Sequence, residues 1–244
     1  MIIANWKCNG STEMYKSWSA DFSKDLLLND GTYLGLAPPS IFFGEIKSYL
    51  SCIPFIGVQD VDFLDGPRTG SISVDMLVDM ACNFSIVGHS ERRQLFNENN
   101  ELIKKKIKSL NNKIMTVLCI GETKEENQKG NTKNILEEQL RILNGLELDK
   151  SFTVAYEPVW AIGTGLTPEP NDINEIHKYI KDVVQSITAN NHIPSVLYGG
   201  SVTDVNAKSF FKEQYVDGAL VGGASLNGAT FAKIVNIYNG MKQQ

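Results

Sequence analysis

Short apolar runs recur along the chain and are separated by longer segments in which apolar and polar positions follow a helical rhythm. The eight runs cover residues 2–5, 33–37, 55–58, 84–88, 114–120, 152–157, 195–198 and 218–221. Continuous apolar runs rich in β-branched residues are typical of parallel strands that are covered on both faces. The pattern therefore predicts eight buried strands.

The intervening segments place apolar residues three or four positions apart, which is the spacing of one face of a helix. These positions are Ile103, Ile107 and Leu110; Leu136, Leu140 and Leu143; Ile173, Ile176, Ile180, Val183 and Ile187; and Phe231, Ile234, Val235 and Tyr238. Thr123 and Glu126 predict a capping box at the start of the fifth helix. Asn171 is the expected N-cap of the sixth.

Eight strand-then-helix units divide the 244 residues into repeats of about 30 residues, the size of a βαβ unit. This count suits a closed eight-stranded barrel or an open doubly wound sheet. A dinucleotide fingerprint is lacking, because Pro168 holds the third glycine position after Gly163 and Gly165. We therefore favour the barrel and, with no linker in the chain, expect one domain over residues 1–244.

Composition and charge narrow the function classes. Hydrophobic residues make up 42% of the chain and charged residues 21%, which is ordinary for a globular protein. A net charge of −5 argues against bulk attraction to nucleic acid or an anionic membrane. The apolar runs are far shorter than the roughly 18 residues of a membrane span.

The N-terminal residues and the cysteines indicate the compartment. Residues 1–7 have no basic region followed by a long apolar one, so we expect a cytoplasmic protein without a signal peptide. The four cysteines are Cys8, Cys52, Cys82 and Cys119. They form no Cys-x-x-Cys pair, which predicts reduced thiols and neither a zinc site nor a disulfide scaffold.

Unusual polar residues fall at the carboxyl ends of the predicted strands. Asn5 and Lys7 follow the first strand, His89 follows the fourth, and Glu157 ends the sixth. In a closed barrel these strand ends converge on one face, where such folds place their sites. We therefore expect these side chains to surround one pocket.

Two glycine-rich segments, Gly199-Gly200-Ser201 and Gly222-Gly223, follow the last two predicted strands and lead into helices. Glycine lets a ligand approach the backbone, and N–H groups at a helix start favour phosphate. The last two loops of a barrel frequently form such a site. The alternative is a pair of tight turns that require positive φ angles.

The segment 155–165 joins the strand-end Glu157 to an apolar loop around Trp160 that ends in Gly163-Thr164-Gly165. We expect this loop to be a lid that excludes water. Burial beneath it would raise the pKa of Glu157 toward a value useful for a general base. The alternative is a buried glutamate paired with Lys or Arg.

The sequence Gly88-His89-Ser90-Glu91-Arg92 nearly matches the nucleophile elbow Gly-x-Ser-x-Gly, but Arg92 replaces the last glycine. A serine hydrolase with Ser90 as nucleophile would need a later histidine as its base. His177 lies in a helical run, and His192 is the remaining candidate. Nothing after the seventh predicted strand supplies a histidine, which argues against a hydrolase. Because His89 stands at the carboxyl end of a predicted strand, we expect it to act as an acid or electrophile.

Lys7 is the one cation of its strand-end loop. An ammonium group near the glycine loops would neutralise a phosphate or polarise a carbonyl. The alternative is a solvated lysine.

The sequence contains no recognisable metal-binding pattern, and its three histidines are widely separated. A base, a donor, a cation and a phosphate cradle suit proton abstraction next to a carbonyl on a small phosphorylated substrate. A phosphate-binding barrel without activity and a metal-dependent sugar-phosphate epimerase are the rival interpretations.

Six segments, spread over nearly the whole chain, resemble the triosephosphate isomerase family in order and spacing. They are Asn-Trp-Lys-Cys-Asn-Gly at 5–10, Gly-His-Ser-Glu-Arg-Arg at 88–93, Cys-Ile-Gly-Glu at 119–122, Ala-Tyr-Glu-Pro-Val-Trp-Ala-Ile-Gly-Thr-Gly at 155–165, Tyr-Gly-Gly-Ser at 198–201 and Leu-Val-Gly-Gly-Ala-Ser at 220–225. The resemblance implies a single-domain (β/α)8 TIM barrel. It also implies cofactor-free and metal-free interconversion of dihydroxyacetone phosphate and D-glyceraldehyde 3-phosphate through an enediolate.

The resemblance also implies roles for individual residues. Glu157 matches the general base, and His89 matches the electrophile that polarises the carbonyl. Lys7 matches the cation that holds the substrate, with Asn5 as its substrate-binding neighbour. The backbone groups matching the phosphate grip are those of Gly163, Ser201, Gly222 and Gly223. Two further matching positions near the site have supportive roles: Glu91 and Cys119.

The family is typically homodimeric, so the resemblance implies a second copy of the chain as partner. The segment 59–73 matches the long third loop, which inserts into the other subunit, and Thr69 matches the residue at its tip. Asp60, Arg68 and Ser71 depart from the residues common in that loop.

Overall fold

The computed structural model describes residues 1–27, 33–50, 52–162 and 167–242. Eight parallel strands form one sheet within these residues. The strands are β1 (Ile2–Asn5), β2 (Leu34–Ala37), β3 (Phe55–Ile56), β4 (Phe84–Val87), β5 (Met115–Ile120), β6 (Thr153–Tyr156), β7 (Ser195–Tyr198) and β8 (Gly218–Val221).

The sheet is nearly closed on itself. Its order, β3-β2-β1-β8-β7-β6-β5-β4, leaves β3 and β4 at the two ends. A parallel bridge between Val58 and Ser85 joins these ends. The N–H of Val58 donates to the carbonyl of Phe84 at 3.0 Å, and the N–H of Ile86 donates to the carbonyl of Val58 at 2.9 Å. The predicted barrel is therefore confirmed, and the open doubly wound sheet is excluded.

Helices follow the strands along the chain. The ten α-helices of the described residues are α1 (Thr12–Asp25), α2 (Phe43–Tyr49), α3 (Val74–Asp79), α4 (Ser90–Leu95), α5 (Asn100–Leu110), α6 (Lys124–Gln128), α7 (Thr132–Leu140), α8 (Pro170–Ile187), α9 (Ala207–Phe211) and α10 (Gly228–Lys242). Short 3₁₀ helices cover Ser40–Phe42, Arg141–Leu143, Val159–Ala161 and Gly223–Leu226. No described helix is both long enough and apolar enough to cross a membrane.

Several predicted boundaries differ from the structure. Four observed strands are one or two residues shorter than predicted. Their predicted ranges are 33–37, 84–88, 114–120 and 152–157. The third strand, predicted over 55–58, is two residues long. Its continuation changes partner, because Gly57 still donates to β2 whereas Val58 bonds to β4. This change of partner is what closes the sheet.

One of the two predicted helix starts is wrong. The capping box is confirmed: the Thr123 N–H donates to the Glu126 carboxylate at 2.7 Å, and the Thr123 hydroxyl accepts from the Glu126 N–H at 3.4 Å. Asn171, however, lies inside α8, which begins at Pro170 with Glu169 at the N-cap. Proline suits a first helical position because its φ angle is preset and its missing N–H would have no helical partner.

The core has two parts. One large cluster contains outward-facing strand residues together with helix residues. A smaller cluster, formed by the alternate strand residues, fills the inside of the barrel around the fully buried Phe84. A Cβ atom at Gly35 would lie 2.9 Å from the Phe84 ring, and one at Gly57 would lie 2.5 Å from it. These two glycines therefore make room for the ring.

We predict that Gly57→Ala destabilises the fold by about 2 kcal/mol, because an overpacked core must displace the Phe84 ring. Urea unfolding measures the change. The matched control is Gly44→Ala in α2, where the nearest side-chain atom to a new Cβ is 3.8 Å away. The control should gain up to about 1 kcal/mol from helix propensity. Equal stability of the two variants would contradict the packing argument.

Candidate active site

The carboxyl ends of the strands surround a cavity of about 370 Å³. Asn5, Lys7, His89 and Glu157 all line it, although they lie far apart in the sequence. The predicted convergence of these four side chains is therefore confirmed. It follows from the closed barrel, which brings the ends of β1, β4 and β6 to one face.

The carboxylate of Glu157 is held by two donors inside this cavity. Its side chain is 2% exposed. Oε1 lies 2.9 Å from Nε2 of His89, and Oε2 accepts the N–H of Ser90 at 2.9 Å. The partner of the buried glutamate is therefore a histidine, and not the Lys or Arg of the alternative interpretation.

The pKa of Glu157 is lowered. Burial alone would raise this pKa, but the attraction and hydrogen bond of His89, the Ser90 N–H and the charge of Lys7 outweigh burial. The predicted rise is therefore wrong for this structure. The sequence could not indicate the direction, because it depends on contacts between three separate strand-end loops. Glu157 is thus an ionised carboxylate near neutral pH.

The contacts of His89 define its tautomer. Its Nδ1 accepts the N–H of Glu91 at 3.2 Å. A ring nitrogen that accepts a hydrogen bond carries no proton, so the ring proton lies on Nε2, toward Glu157. Burial lowers the pKa of His89, but the attraction and hydrogen bond of Glu157 outweigh burial and raise it. The raised pKa thus belongs to the pair and requires Glu157 to stay in contact.

Lys7 is fixed at both its backbone and its side chain. Its φ angle is +50°, a left-handed conformation that is strained for a residue with a side chain. The Asn5 side chain accepts the Lys7 N–H at 3.0 Å, and Gln59 donates to its carbonyl at 2.9 Å. Nζ lies 2.6 Å from a carboxylate oxygen of Glu91. The structure therefore does not support the alternative of a solvated lysine without a partner.

The two glycine loops line the same cavity. Gly199, Gly200, Gly222 and Gly223 all have φ angles outside the positive region, so the tight-turn alternative does not explain them. A Cβ at Gly223 would meet no atom within 4 Å. One at Gly222 would contact the Lys7 side chain at 3.5 Å. These two glycines leave the backbone accessible from the cavity.

Part of the predicted lid lies outside the described residues. Gly163 belongs to this part, together with residues 164–166, so its contribution to the site remains a prediction. The described beginning of the loop contains the 3₁₀ helix Val159–Ala161. Ser201, which also lines the cavity, donates through its hydroxyl to the Ala161 carbonyl at 3.1 Å. The loop after β7 therefore contacts the beginning of the predicted lid.

Two tryptophans hold the last glycine loop, a role that the sequence pattern does not indicate. Nε1 of Trp6 and Nε1 of Trp18 both donate to the Ser225 carbonyl, at 3.2 and 2.8 Å. Ser225 in turn donates its N–H to the Gly222 carbonyl at 2.8 Å. A buried indole N–H needs an acceptor, and this need is a signal that the sequence contains. The sequence does not identify the acceptor, which lies more than 200 positions away.

Glu122 is a further residue beside the site whose role the sequence pattern does not indicate. Its buried carboxylate accepts from the Tyr156 hydroxyl at 3.0 Å and from Nε1 of Trp160 at 2.8 Å. Burial raises the pKa of Glu122, against the lowering effect of these hydrogen bonds. Glu122 therefore ties the end of β5 to the residues that flank Glu157.

Glu91 and Cys119, the two predicted supporting residues, have different surroundings. Glu91 contacts both Lys7 and His89 and thereby links the two. Cys119 is fully buried inside the barrel, and burial followed by the charge of Glu157 raises the pKa of its thiol. Cys119 is therefore a neutral group near the base. All four cysteines lie among the described residues and are free thiols, as predicted.

The unusual residues of the predicted interface loop have partners within the chain. Nε of Arg68 and the hydroxyl of Ser71 both donate to Asp62 at 2.7 Å. Asp60 lies 2.6 Å from Nζ of the buried Lys106. These three replacements therefore stabilise the loop conformation internally.

The serine hydrolase alternative finds no geometric support. The backbone N–H of Ser90 donates to Glu157. His177 is buried in α8 with Nδ1 3.3 Å from the Tyr215 carbonyl, and Nε2 of His192 lies 3.2 Å from the Phe152 carbonyl. Both later histidines are therefore engaged in packing. In the described part of the chain, no group of three or more His, Cys, Asp or Glu residues could hold a metal ion.

The fold and the site together define a class of protein. A carboxylate and an imidazole N–H donor that share one cavity at the strand ends of a barrel form the machinery of an acid–base enzyme. Similarity to known proteins narrows this class. The family model for triosephosphate isomerase matches residues 1–238.

Three similar proteins, each named triosephosphate isomerase, come from bacteria. Those of Erwinia tasmaniensis and Photorhabdus laumondii are 40% identical over 242 residues, covering 96% of this chain and 95% of theirs. That of Buchnera aphidicola is 40% identical over 250 residues, covering 97% of this chain and 96% of its own. The chain belongs to the triosephosphate isomerase family, whose members are aldose–ketose isomerases.

The buried His177 predicts a pH dependence of stability. Burial lowers its pKa to about 3 in the folded state, whereas the ordinary value of 6.5 applies to the unfolded chain. Between these values the unfolded chain binds the extra proton, so stability falls as pH falls through this window. Between pH 6.5 and 5 we therefore expect the free energy of unfolding to fall by about 2 kcal/mol more in the wild type than in His177→Leu.

The measurement is urea unfolding of wild type and variant at both pH values. Ile180→Val is the control: it alters packing on the same buried face of α8 without removing a titratable group, so it should keep the wild-type pH dependence. An identical pH dependence in wild type and His177→Leu would refute the assignment.

Proposed function

We propose that this chain interconverts dihydroxyacetone phosphate and D-glyceraldehyde 3-phosphate through an enediolate, without metal or cofactor. The observation that carries the proposal is the 2.9 Å contact between Oε1 of Glu157 and Nε2 of His89 in the cavity lined by the glycine loops. A carboxylate and an N–H donor this close can both reach one small substrate. Membership of the family supports the same reaction.

In the proposed reaction Glu157 takes a proton from the carbon next to the carbonyl. The electron pair of the broken C–H bond forms the double bond of the enediolate, and negative charge moves to the former carbonyl oxygen. Nε2–H of His89 donates to that oxygen, and His89 moves a proton between the two oxygens. Glu157 then returns its proton to the neighbouring carbon. The lowered pKa of Glu157 keeps the base ionised before the substrate binds.

The substrate phosphate is held by backbone N–H groups and one cation. Lys7 is the one Lys or Arg among the described residues that line the cavity, and Asn5 holds its backbone. The N–H groups at the start of a helix have no helical partner, and the 3₁₀ helix after β8 begins at Gly223. The proposed phosphate contacts are the backbones of Gly163, Ser201, Gly222 and Gly223.

Two further residues support the catalytic groups in this proposal. Glu91 orients Lys7 through its carboxylate and His89 through its N–H. Cys119 supplies a neutral, buried neighbour that keeps the surroundings of Glu157 dry.

We propose that the functional form is a homodimer, with Thr69 reaching the partner. Thr69 lies at the exposed tip of a loop whose conformation is stabilised by Asp62. The helix α3 that follows this loop exposes Met76 and Val78. Exposed apolar residues beside an exposed loop are typical of an interaction surface.

The location and the domain organisation are also parts of the proposal. We place the protein in the cytoplasm and treat residues 1–244 as one domain with no nucleic-acid or membrane partner. The acidic net charge of −5 and the one sheet that contains all described strands support this view.

We predict that the purified protein isomerises both triose phosphates in the presence of a chelator. Glu157→Asp should lower kcat by about 100-fold or more and leave KM within about threefold, because the shortened base loses reach in the transition state. A coupled spectrophotometric assay in both directions measures this.

Glu101→Asp is the control, because it makes the same chemical change outside the site. Glu101 lies exposed in the first turn of α5. Its kcat should equal the wild-type value. A wild-type protein without turnover would refute the proposed activity, and an unchanged kcat in Glu157→Asp would refute the base assignment.

We predict a solution mass of twice the 27.0 kDa chain in light scattering at micromolar concentration. Arg68→Ala should weaken the dimer, because it removes a donor to Asp62 that stabilises the interface loop. Val205→Ala, at a highly exposed position elsewhere, is the control and should leave the mass unchanged. A mass of one chain for the wild type would refute the dimer.

A further inference from the structure

Gln139 on α7 holds both backbone polar groups of Gly121. Its Oε1 accepts the Gly121 N–H at 2.8 Å, and its Nε2 donates to the Gly121 carbonyl at 2.9 Å. Gly121 directly follows β5 at the carboxyl end of the barrel. We call this pair of hydrogen bonds the Gln139 clamp.

Gly121 lies directly against the backbone of Glu157. A Cβ atom at position 121 would lie 1.7 Å from the Glu157 carbonyl oxygen. The neighbours of Gly121 hold the same stretch of chain. The Ile120 carbonyl accepts the Glu157 N–H at 2.8 Å, and the Glu122 carbonyl accepts the Val159 N–H at 3.1 Å. The position of residues 120–122 therefore determines where the main chain of Glu157 lies.

Side-chain packing does not fix this segment on every side. A cavity of about 150 Å³ is lined by Gly121, Gln139 and Glu157, among others. Displacement toward a cavity meets less resistance than displacement in a close-packed core. Gln139, by contrast, has a firm base, because its helix neighbours Leu136 and Leu140 are fully buried. The clamp therefore restrains the segment where packing does not.

We propose that Gln139 is a positioning residue for the isomerase reaction, which sets the position of Glu157 relative to His89 and the substrate through its clamp on Gly121. This inference rests on the proposed function. Its physical basis is that a catalytic base must be held in place: a misplacement of about 1 Å can cost on the order of 100-fold in rate.

A second clamp of the same kind provides a matched control. Asn190 donates to the Leu148 carbonyl at 2.8 Å and accepts the Leu148 N–H at 3.3 Å. These residues precede β7 and β6, so they lie at the amino-terminal end of the barrel, opposite the cavity. Asn190→Leu removes an equivalent pair of hydrogen bonds without touching the residues around Glu157.

The experiment compares Gln139→Met with Asn190→Leu. Gln139→Met should lower kcat by about tenfold and leave KM within about twofold, because the substrate contacts remain. The acid limb of its kcat/KM profile should shift to higher pH, since the contacts of Glu157 with His89 and Ser90 loosen. The titratable neighbours of Glu157, which are His89, Lys7, Arg93 and Cys119, are retained in both variants.

Asn190→Leu should lower the unfolding midpoint and leave both kcat and the acid limb unchanged. If Gln139→Met lowers the unfolding midpoint but keeps the wild-type kcat and acid limb, Gln139 has only a structural role. That outcome overturns this inference and leaves the proposed function standing. A rise in KM with unchanged kcat also overturns it. An inactive wild-type protein overturns the proposed function as well, so the two failures are distinguishable.

Gln139→Glu is the second variant, for use if Gln139→Met does not fold. It keeps the acceptor for the Gly121 N–H and loses the donor to the Gly121 carbonyl. Its kcat at neutral pH should fall by about tenfold, because a carboxylate oxygen then faces the Gly121 carbonyl oxygen in place of the donor. A wild-type kcat in Gln139→Glu overturns the inference.

Discussion

Closure of the parallel sheet is the constraint on which the rest of this structure depends. In the strand order, β4 lies at one end and β3 at the other, and the bridge from Val58 to Ser85 joins them. Without this bridge, His89 would stand at the open edge of a sheet, with four strands between it and the strand that leads to Lys7. With it, the strand ends form a ring, and residues from β1, β4 and β6 face one another across a single cavity.

The ring brings together charged groups that need one another. A buried carboxylate is costly unless donors satisfy it, and Glu157 receives one from His89 and one from the Ser90 backbone. Glu91 performs the corresponding task for Lys7 and also sets the tautomer of His89. His89 thus satisfies the carboxylate of Glu157, and Glu91 holds both Lys7 and His89 in place. Their chemistry belongs to the assembly and to none of the loops alone.

Features that depend on near neighbours in the chain were predictable. The eight strands were found because buried parallel strands are continuously apolar, and the Thr123 capping box was found because its partners are three residues apart. The prediction of Asn171 as an N-cap is wrong because Pro170, one residue earlier, starts the helix. The predicted length of the third strand is wrong because Val58 bonds to β4 and not to β2. Trp6 and Trp18 find their acceptor at Ser225, and Gln139 binds Gly121; these contacts join distant segments, so no local signal identifies the partners.

The sequence by itself determined the eightfold strand-and-helix pattern, the strand-end positions of Lys7, His89 and Glu157, and the resemblance that names their chemistry. The tertiary structure alone decided how these groups are paired, and with that the direction of the pKa shift of Glu157. The physical reason is range. Backbone geometry and hydrophobic periodicity act between residues a few positions apart, whereas desolvation and charge pairing depend on atoms that only the closed barrel brings within 3 Å.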